Sequence, residues 1–273
     1  MVIENGGASH SRRVCEQLNS RLPIEFASRA EAGKSRALQW GLRRIGDSFA
    51  LFLDDDVRVA PNTLVAYSQG ERLNESDAIL GGPLLIDYEE PPPRWLLPYL
   101  PRSVTGCPGD PTLTGEPYFS GANFGVHAKL LLEAGGFDER IGPGARVPGT
   151  EGNPTGQESE AQARLIALGC KPKFLPEAKV WHYVPRDRCT PQWALHRAER
   201  VAMSSAIRAN QGHNRRSLAR VPYWVWKDLA TSLPALTASS VMRDEQRFLL
   251  RRGFYAARGY LRGYRQQSSH PDD

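Results

Sequence analysis

The stretch Phe49-Ala50-Leu51-Phe52-Leu53-Asp54-Asp55-Asp56-Val57 is an apolar run that stops on three consecutive carboxylates. Its length and composition predict a buried strand, and the acids then fall at the strand's carboxyl end, where ligands of open α/β sheets collect. Carboxylates this close repel one another by several kcal/mol at the effective dielectric of a protein surface. An oxygen-seeking divalent cation, Mg or Mn, turns that repulsion into coordination. The other reading of the same residues is a solvated acidic turn ahead of a helix beginning near Pro61. The segments on either side decide between the two.

Upstream, Met1 to Gly7 reads as the tail of a strand entering a glycine turn, followed by a helix over about 9–19. A short strand is expected over 23–27. A helix over 34–45 carries Ala37, Leu38, Gly41, Leu42 and Ile45 on one face. Downstream, the pattern predicts a helix over 61–72, a strand over 77–86, a long proline-rich excursion over 88–117 and a strand over 117–124. A helix over 129–134, a glycine-rich stretch over 135–156, a helix over 157–168 and a strand over 179–183 follow. Strands alternating with helices imply an α/β domain, and an excursion as long as 88–117 is more often functional than idle, so it is expected to frame an acceptor.

The length of 273 residues admits one sizeable domain and an appendage, and 40% apolar residues suffice for a core. A net charge of +5 points to an anionic partner, which charge alone does not identify. Cys15, Cys107, Cys170 and Cys189 lie far apart with no zinc-like spacing, so free thiols in a reducing compartment are expected. The sequence shows no signal-peptide pattern and no run of about 18 apolar residues, and the expected location is cytoplasmic.

Five segments in order, over about residues 1–185, resemble glycosyltransferase family 2, whose fold is GT-A: a Rossmann-like nucleotide-diphospho-sugar transferase with a mixed sheet flanked by helices. These are Val2-Ile3-Glu4-Asn5-Gly6-Gly7; Gly33-Lys34-Ser35-Arg36-Ala37; Leu53-Asp54-Asp55-Asp56, which looks like the DXD motif; Ser120-Gly121-Ala122-Asn123-Phe124 through Gly136-Phe137-Asp138-Glu139; and Gly156-Gln157-Glu158-Ser159-Glu160 with Arg164, Gly169, Pro176-Glu177-Ala178 and His182. The family's opening strand has no counterpart ahead of Met1, so the N-terminus is expected to begin inside the fold. The acidic helix normally begins Glu-Asp, whereas here it begins Gln157-Glu158, which shifts the weight onto Glu158.

Helical spacing independently puts Glu158, Ala161, Leu165 and Leu168 on one inward stripe. A buried carboxylate needs a partner or a task, and the expectation for Glu158 is the general base that takes a proton from an acceptor hydroxyl. A first-turn acid favoured by the helix dipole is the alternative. Glu160 lies about 200° around the helix, four residues before Arg164, the spacing of a surface ion pair. As part of the resembling motif it is also an acceptor-side candidate.

The resemblance implies that Asp56 holds the metal, with His182 as a further metal or diphosphate contact, and that Asp54 faces the ribose and sugar. Asp55 is either a donor-side neighbour or a solvated turn residue. Glu4 would accept a hydrogen bond from a uracil-like base, Arg36 would meet base or phosphate, and Asn123 would meet the sugar. Asp138 would contact acceptor or donor unless it merely forms a turn after a helix stop. The implied donor is a nucleotide-diphosphate sugar, UDP by default with GDP and dTDP open, and inversion is implied by the resemblance together with a single candidate base.

Beyond residue 185 the chain turns basic and aromatic with no expected strand. Arg186, Arg188, Arg197, Arg200, Arg208, Arg215, Arg216 and Arg220 precede Val221-Pro222-Tyr223-Trp224-Val225-Trp226, and Arg251 to Arg262 mixes rings with arginines. The domain expectation is a catalytic domain over 1–185 and a basic helical extension over 186–273. Such helices suit an anionic membrane surface and a glycan or lipid-linked acceptor of polysaccharide biosynthesis, or else dock on the catalytic domain with solvated arginines. Nucleic-acid binding is disfavoured because no recognised module is present and the carboxylates are left unexplained. A nucleotidyltransferase of related fold and an inactive truncated relative remain the alternatives.

Overall fold

Short apolar runs and amphipathic segments resolve into strands and helices in the computed structural model, which describes residues 1–7, 11–73, 77–115, 117–144, 156–209, 217–218, 221–232 and 243–267. The chain divides into two compact units. Of the described residues, one comprises 1–87, 105–144 and 156–183, and the other 88–104, 184–209, 217–218, 221–232 and 243–267.

The first unit holds three sheets. Strands β1 (Val2–Asn5) and β2 (Phe26–Arg29) pair in parallel. The central sheet has the order β3-β7-β5-β8, from β3 (Phe49–Phe52), β5 (Ala78–Gly81), β7 (Phe124–His127) and β8 (Lys171–Phe174). Its pairing is mixed: β7 runs antiparallel to β3 and β5, and β8 runs parallel to β5. The third sheet, β4-β9-β6, comprises β4 (Val57–Val59), β6 (Leu84–Tyr88) and β9 (Val180–Val184). Helices α1 (Ser11–Leu18), α2 (Lys34–Arg44), α3 (Thr63–Leu73), α5 (Ala128–Glu133) and α6 (Gln157–Ala167) belong to the same unit. Phe124, Ile79, Val126, Leu131, Leu165 and Leu42 form the heart of the core. Phe52 stacks on Phe124 with centroids 4.7 Å apart, so the strand that leads to the acids is anchored by aromatic packing.

Three expectations are corrected. The strand expected over 77–86 is two strands, because Gly82-Pro83 interrupts it: a Cβ at Gly82 would come 2.1 Å from the Ala178 carbonyl oxygen, and Pro83 has no N–H for a ladder. The strand expected over 117–124 begins only at Phe124. Residues 120–123 instead form a turn in which Asn123 N–H donates to Ser120 O at 2.9 Å. Leu168 follows the last turn of α6 and is 67% exposed, so the inward stripe of that helix ends at Leu165.

Buried polar side chains fix the loops between these elements. Asn123, fully buried, donates to the carbonyls of Pro83 (3.1 Å) and Ala178 (2.7 Å) and accepts from Tyr67 Oη (2.8 Å). Burial pushes the Tyr67 phenol well above its ordinary pKa, so it remains a donor. Gln162, also fully buried, accepts from Phe119 N–H (2.8 Å) and donates to Phe119 O (3.0 Å). On α2, Gln39 accepts from Phe137 N–H and Ser35 donates to the Ile141 carbonyl.

In the second unit the excursion after β6 is ordered, with a 3-10 turn over Arg94–Tyr99 and a short helix α4 (Arg102–Thr105). Helix α7 (Pro191–Ala209) packs along α9 (Asp244–Gln267), and α8 (Tyr223–Ser232) packs on α9 as well. Trp95 and Tyr99 meet Phe248 of α9 with centroids 5.5 and 5.2 Å apart. Two two-residue strands, β10 (Ser217–Leu218) and β11 (Val221–Pro222), pair antiparallel where no strand was expected. Their brevity removes the alternation by which a strand is recognised. Arg215, Arg216 and Arg220 lie outside the described residues, as do residues 145–155 of the glycine-rich stretch.

Close packing of α7 on α9 depends on two glycines. A Cβ at Gly259 would come 2.1 Å from the Glu199 carbonyl oxygen, and one at Gly263 would come 2.7 Å from that of Met203. Glu199 itself, 6% exposed, is bonded by Arg258 Nε (2.7 Å) and Nη2 (2.5 Å) and by Arg262 Nη1 (3.0 Å). Burial alone would raise its pKa, but the two guanidinium groups hold it below the ordinary carboxylate value. No helix among the described residues is long and apolar enough to cross a membrane.

Two outcomes are expected. Asn123→Ala removes the acceptor of the buried Tyr67 hydroxyl and the Asn123 donor to the buried Ala178 carbonyl, while the Pro83 carbonyl keeps Val180 N–H, and should lower stability by about 1–3 kcal/mol in chemical denaturation. Glu199 has a depressed folded pKa, so its contribution is complete above the unfolded value of about 4.3 and is lost as pH falls through the folded one. Helical circular dichroism should therefore show an acid-dependent loss of stability below about pH 4.3 that Glu199→Gln reduces, that variant being less stable than wild type at neutral pH because Arg258 and Arg262 lose their shared acceptor.

Candidate active site

The acids lie just past β3. Leu53 and Asp54 continue the chain out of the strand, and Asp55-Asp56 form a turn into β4. Asp55 is exposed, as a solvated turn residue would be, while Asp54 and Asp56 are partly buried. Antiparallel pairing sets Val57 opposite His182, and this register brings Asp56 Oδ2 to 3.3 Å from His182 Nε2. His182 is 5% exposed, on the buried face of β9. The two residues expected to hold a metal are thus neighbours, contributed by adjacent strands.

Asp54 is joined to a different element. Lys34, the first residue of α2, places Nζ 2.7 Å from Asp54 Oδ1 and 2.9 Å from Glu158 Oε1 at the start of α6. One ammonium thereby bridges the strand-end acid and the candidate base. Burial alone would lower the pKa of Lys34, yet Glu158 and Asp54 more than reverse this and hold it above the ordinary lysine range. A cation in the first turn opposes the helix dipole, and the two carboxylates compensate for it.

Glu158 is confined. Its side chain is 15% exposed, Gln157 Nε2 donates to Oε1 at 2.9 Å, and a Cβ on Gly121 would fall 2.3 Å from Glu158 Cγ. The turn at 120–123 can therefore lie against the carboxylate only because residue 121 has no side chain. The inward direction read from helical spacing holds for Glu158, with Ala161 and Leu165 completely buried on the same stripe.

The other expected residues are distributed around this centre. Glu4 Oε1 accepts from Ser11 Oγ (3.1 Å) and Ser11 N–H (3.4 Å), while Oε2 is buried with no hydrogen-bond partner among the described residues. Asn5 Oδ1 accepts from Gly33 N–H at 2.9 Å and so ties β1 to the start of α2. Arg36 pairs with Glu31 and Glu139. Asn123 is fully buried among Tyr67, Pro83 and Ala178. Asp138 is held bidentate by Arg140, which keeps its carboxyl below the usual range. Gly135 and Gly136 both take positive φ there, the helix stop and turn that the sequence offered as one reading. Glu160 pairs with Arg164 at 2.7 Å, as its i,i+4 spacing indicated.

The structure thus brings Asp54, Glu158, Asp56 and His182 into two linked pairs. Lys34, quoted within a motif but given no role from the sequence, is the residue that joins Asp54 to Glu158. Its readable signal was a lysine at the dipole-disfavoured end of a helix.

Among the described residues no three His, Cys, Asp or Glu side chains cluster tightly enough to enclose a metal. Asp56 and His182 offer one oxygen and one nitrogen on adjacent strands, a donor set that suits a divalent cation completed by ligand oxygens and water.

No protein-family model matches the chain, and no curated protein sequence matches it. Among solved structures, GalNAc-T7 with UDP, GalNAc and Mn2+ superposes with a TM-score of 0.44 at 14% identity, over 91% of this chain and 47% of that one. The chain thus spans about half the length of that structure. The mannosyltransferase PcManGT from Pyrobaculum calidifontis, in complex with GDP-Man and Mn2+, superposes with a TM-score of 0.52 at 16% identity, over 96% of this chain and 77% of that one. The mixed sheets flanked by helices, together with the second of these likenesses, show that this chain has the GT-A fold.

Proposed function

We propose that the chain is an inverting glycosyltransferase of the family 2 type, transferring a sugar from a nucleotide-diphosphate donor to a hydroxyl of a glycan or lipid-linked acceptor. The observation that carries this reading is the convergence of the strand-end acids with the start of α6: Asp54 and Glu158 share Lys34, and Asp56 meets His182 two residues further on. PcManGT, which shares the fold, was solved with GDP-Man and Mn2+, which supports a nucleotide sugar and a divalent cation here.

In this reading Glu158 takes the proton of the acceptor hydroxyl as its oxygen forms a bond to the anomeric carbon. The bond from that carbon to the donor's β-phosphate oxygen breaks, and its electron pair leaves with the nucleoside diphosphate. Asp56 and His182 would hold Mg or Mn, which, when bound, stabilises the charge developing on the diphosphate. Asp54 orients the donor sugar and ribose, with Asp55 beside it. Glu4, with one buried carboxylate oxygen that has no partner among the described residues, accepts a hydrogen bond from the base. Arg36 lies on the donor side, and Asp138 and Glu160 on the acceptor side. Asn123 shapes the sugar subsite through the turn it anchors.

The catalytic domain covers 1–185 and the basic helical extension 186–273. On α9, exposed Leu249 and Leu250 sit beside Arg251 and Arg252, a composition that supports contact of the extension with an anionic membrane surface at its cytoplasmic face.

Isothermal calorimetry with UDP, GDP and dTDP, with and without Mn2+, should show metal-dependent binding of one nucleotide that Asp56→Ala abolishes. Binding of none would overturn the donor-site assignment. With the matching nucleotide sugar, the product should be free nucleoside diphosphate, whereas pyrophosphate release would identify nucleotidyl transfer instead. Glu158→Gln should lower turnover by roughly 10²–10⁴-fold, the range of a lost general base, and near-normal turnover would remove Glu158 from that role.

A further inference from the structure

Lys34 is a single cation shared by two carboxylates from separate elements, 2.7 Å from Asp54 and 2.9 Å from Glu158. Its side chain is 27% exposed, so solvent and an incoming ligand can reach it. Glu158, by contrast, is held in place by Gln157 and by the turn at Gly121. Of the two partners in that ion pair, the lysine, on a stem of four rotatable carbons, is the one free to move. A nucleoside diphosphate arriving beside Asp54 and Asp56 meets negative charge, and Lys34 is a cation already in contact with that acidic centre. Arg36, two residues on, is engaged by Glu31 and Glu139.

We infer that Lys34 is a positioning residue that exchanges partners: its ammonium leaves Glu158 Oε1 for the diphosphate of the arriving donor, and Glu158 is released to accept a proton only once the donor is seated. The inference rests on the glycosyltransferase reading above and adds an order of events to it. Without donor, the base is held in an ion pair. With donor, the same cation neutralises the diphosphate. No covalent bond changes in the exchange.

Thermodynamic linkage makes this measurable without turnover. If donor binding must break the Lys34–Glu158 pair, removing the charge on Glu158 should tighten nucleotide binding, and only when Lys34 is present. The experiment is a calorimetric double-mutant cycle with the nucleoside diphosphate that binds in Mn2+, using wild type, Glu158→Gln, Lys34→Met and the double variant, each first shown to be folded by circular dichroism.

Glu158→Gln should bind about three- to tenfold more tightly than wild type, tenfold being about 1.4 kcal/mol. Lys34→Met should bind more weakly, and Glu158→Gln should change nothing in that background. Relief of through-space repulsion between Glu158 and the diphosphate would also tighten binding, but equally in both backgrounds. An equal effect in both, or none in either, overturns the exchange while leaving the donor site intact. Failure of every nucleotide to bind wild type overturns the donor-site reading, and this inference with it. Should Lys34→Met bind too weakly to measure, the ε-methylene NMR signal of Lys34, assigned by its loss in that variant, provides the second readout. It should shift when nucleotide and diamagnetic Mg2+ are added, and an unchanged signal overturns the exchange.

Discussion

Hydrogen bonding of buried loop backbone by buried amide side chains is the constraint on which the first unit depends. A GT-A sheet leaves irregular chain above its strand ends, and backbone N–H and C=O groups there lose water when they are covered. Asn123 and Gln162, both fully buried, bond the carbonyls of Pro83, Ala178 and Phe119 and the N–H of Phe119. With Phe119 clamped and Asn123 anchored, the turn at 120–123 is fixed between them. Gly121 then lies against Glu158, and β7 starts in register with β3 and β5. Local chain path, sheet pairing and the position of the candidate base follow from the same few hydrogen bonds.

Electrostatics adds a second layer to this scaffold. Two acids past β3 go to different partners: Asp54 to the lysine that begins α2, and Asp56 to the histidine of β9. Because adjacent residues in an extended or turning segment point in different directions, a run of three acids supplies two inward groups and one, Asp55, in solvent. The repulsion within the run is thereby divided between two local counter-groups, one from α2 and one from β9.

The sequence made some of this readable and left the rest to tertiary contacts. The acidic run after an apolar strand, the inward face of Glu158 and the Glu160–Arg164 pair were accessible because each depends on local periodicity. The extent of β7 was not, since Pro117 to Asn123 has strand-like composition and only the hydrogen bonds of Asn123 and Gln162 reveal a clamped turn. Gly82-Pro83 looked like part of one strand because the close approach of Ala178, nearly a hundred residues later, cannot be seen locally. The role of Lys34 depends on contacts 20 and 124 residues away, beyond the reach of any sequence window. The same holds for Glu199, whose partners lie 59 and 63 residues on.

Glu199 meets α9 in two ways at once, through a backbone carbonyl that tolerates only glycine at 259 and a carboxylate that takes Arg258 and Arg262 on either side of it. Sliding α9 by one residue would set a side chain against that carbonyl, whereas sliding it by four would bring Gly263 to the carbonyl and Arg262 to the place of Arg258 but leave Gln266 in place of Arg262. Shape alone admits more than one register, and the pair of arginines on Glu199 selects between them. In a helix pair keyed in this way, a one-turn ratchet of one helix past the other costs Glu199 one of its two arginines.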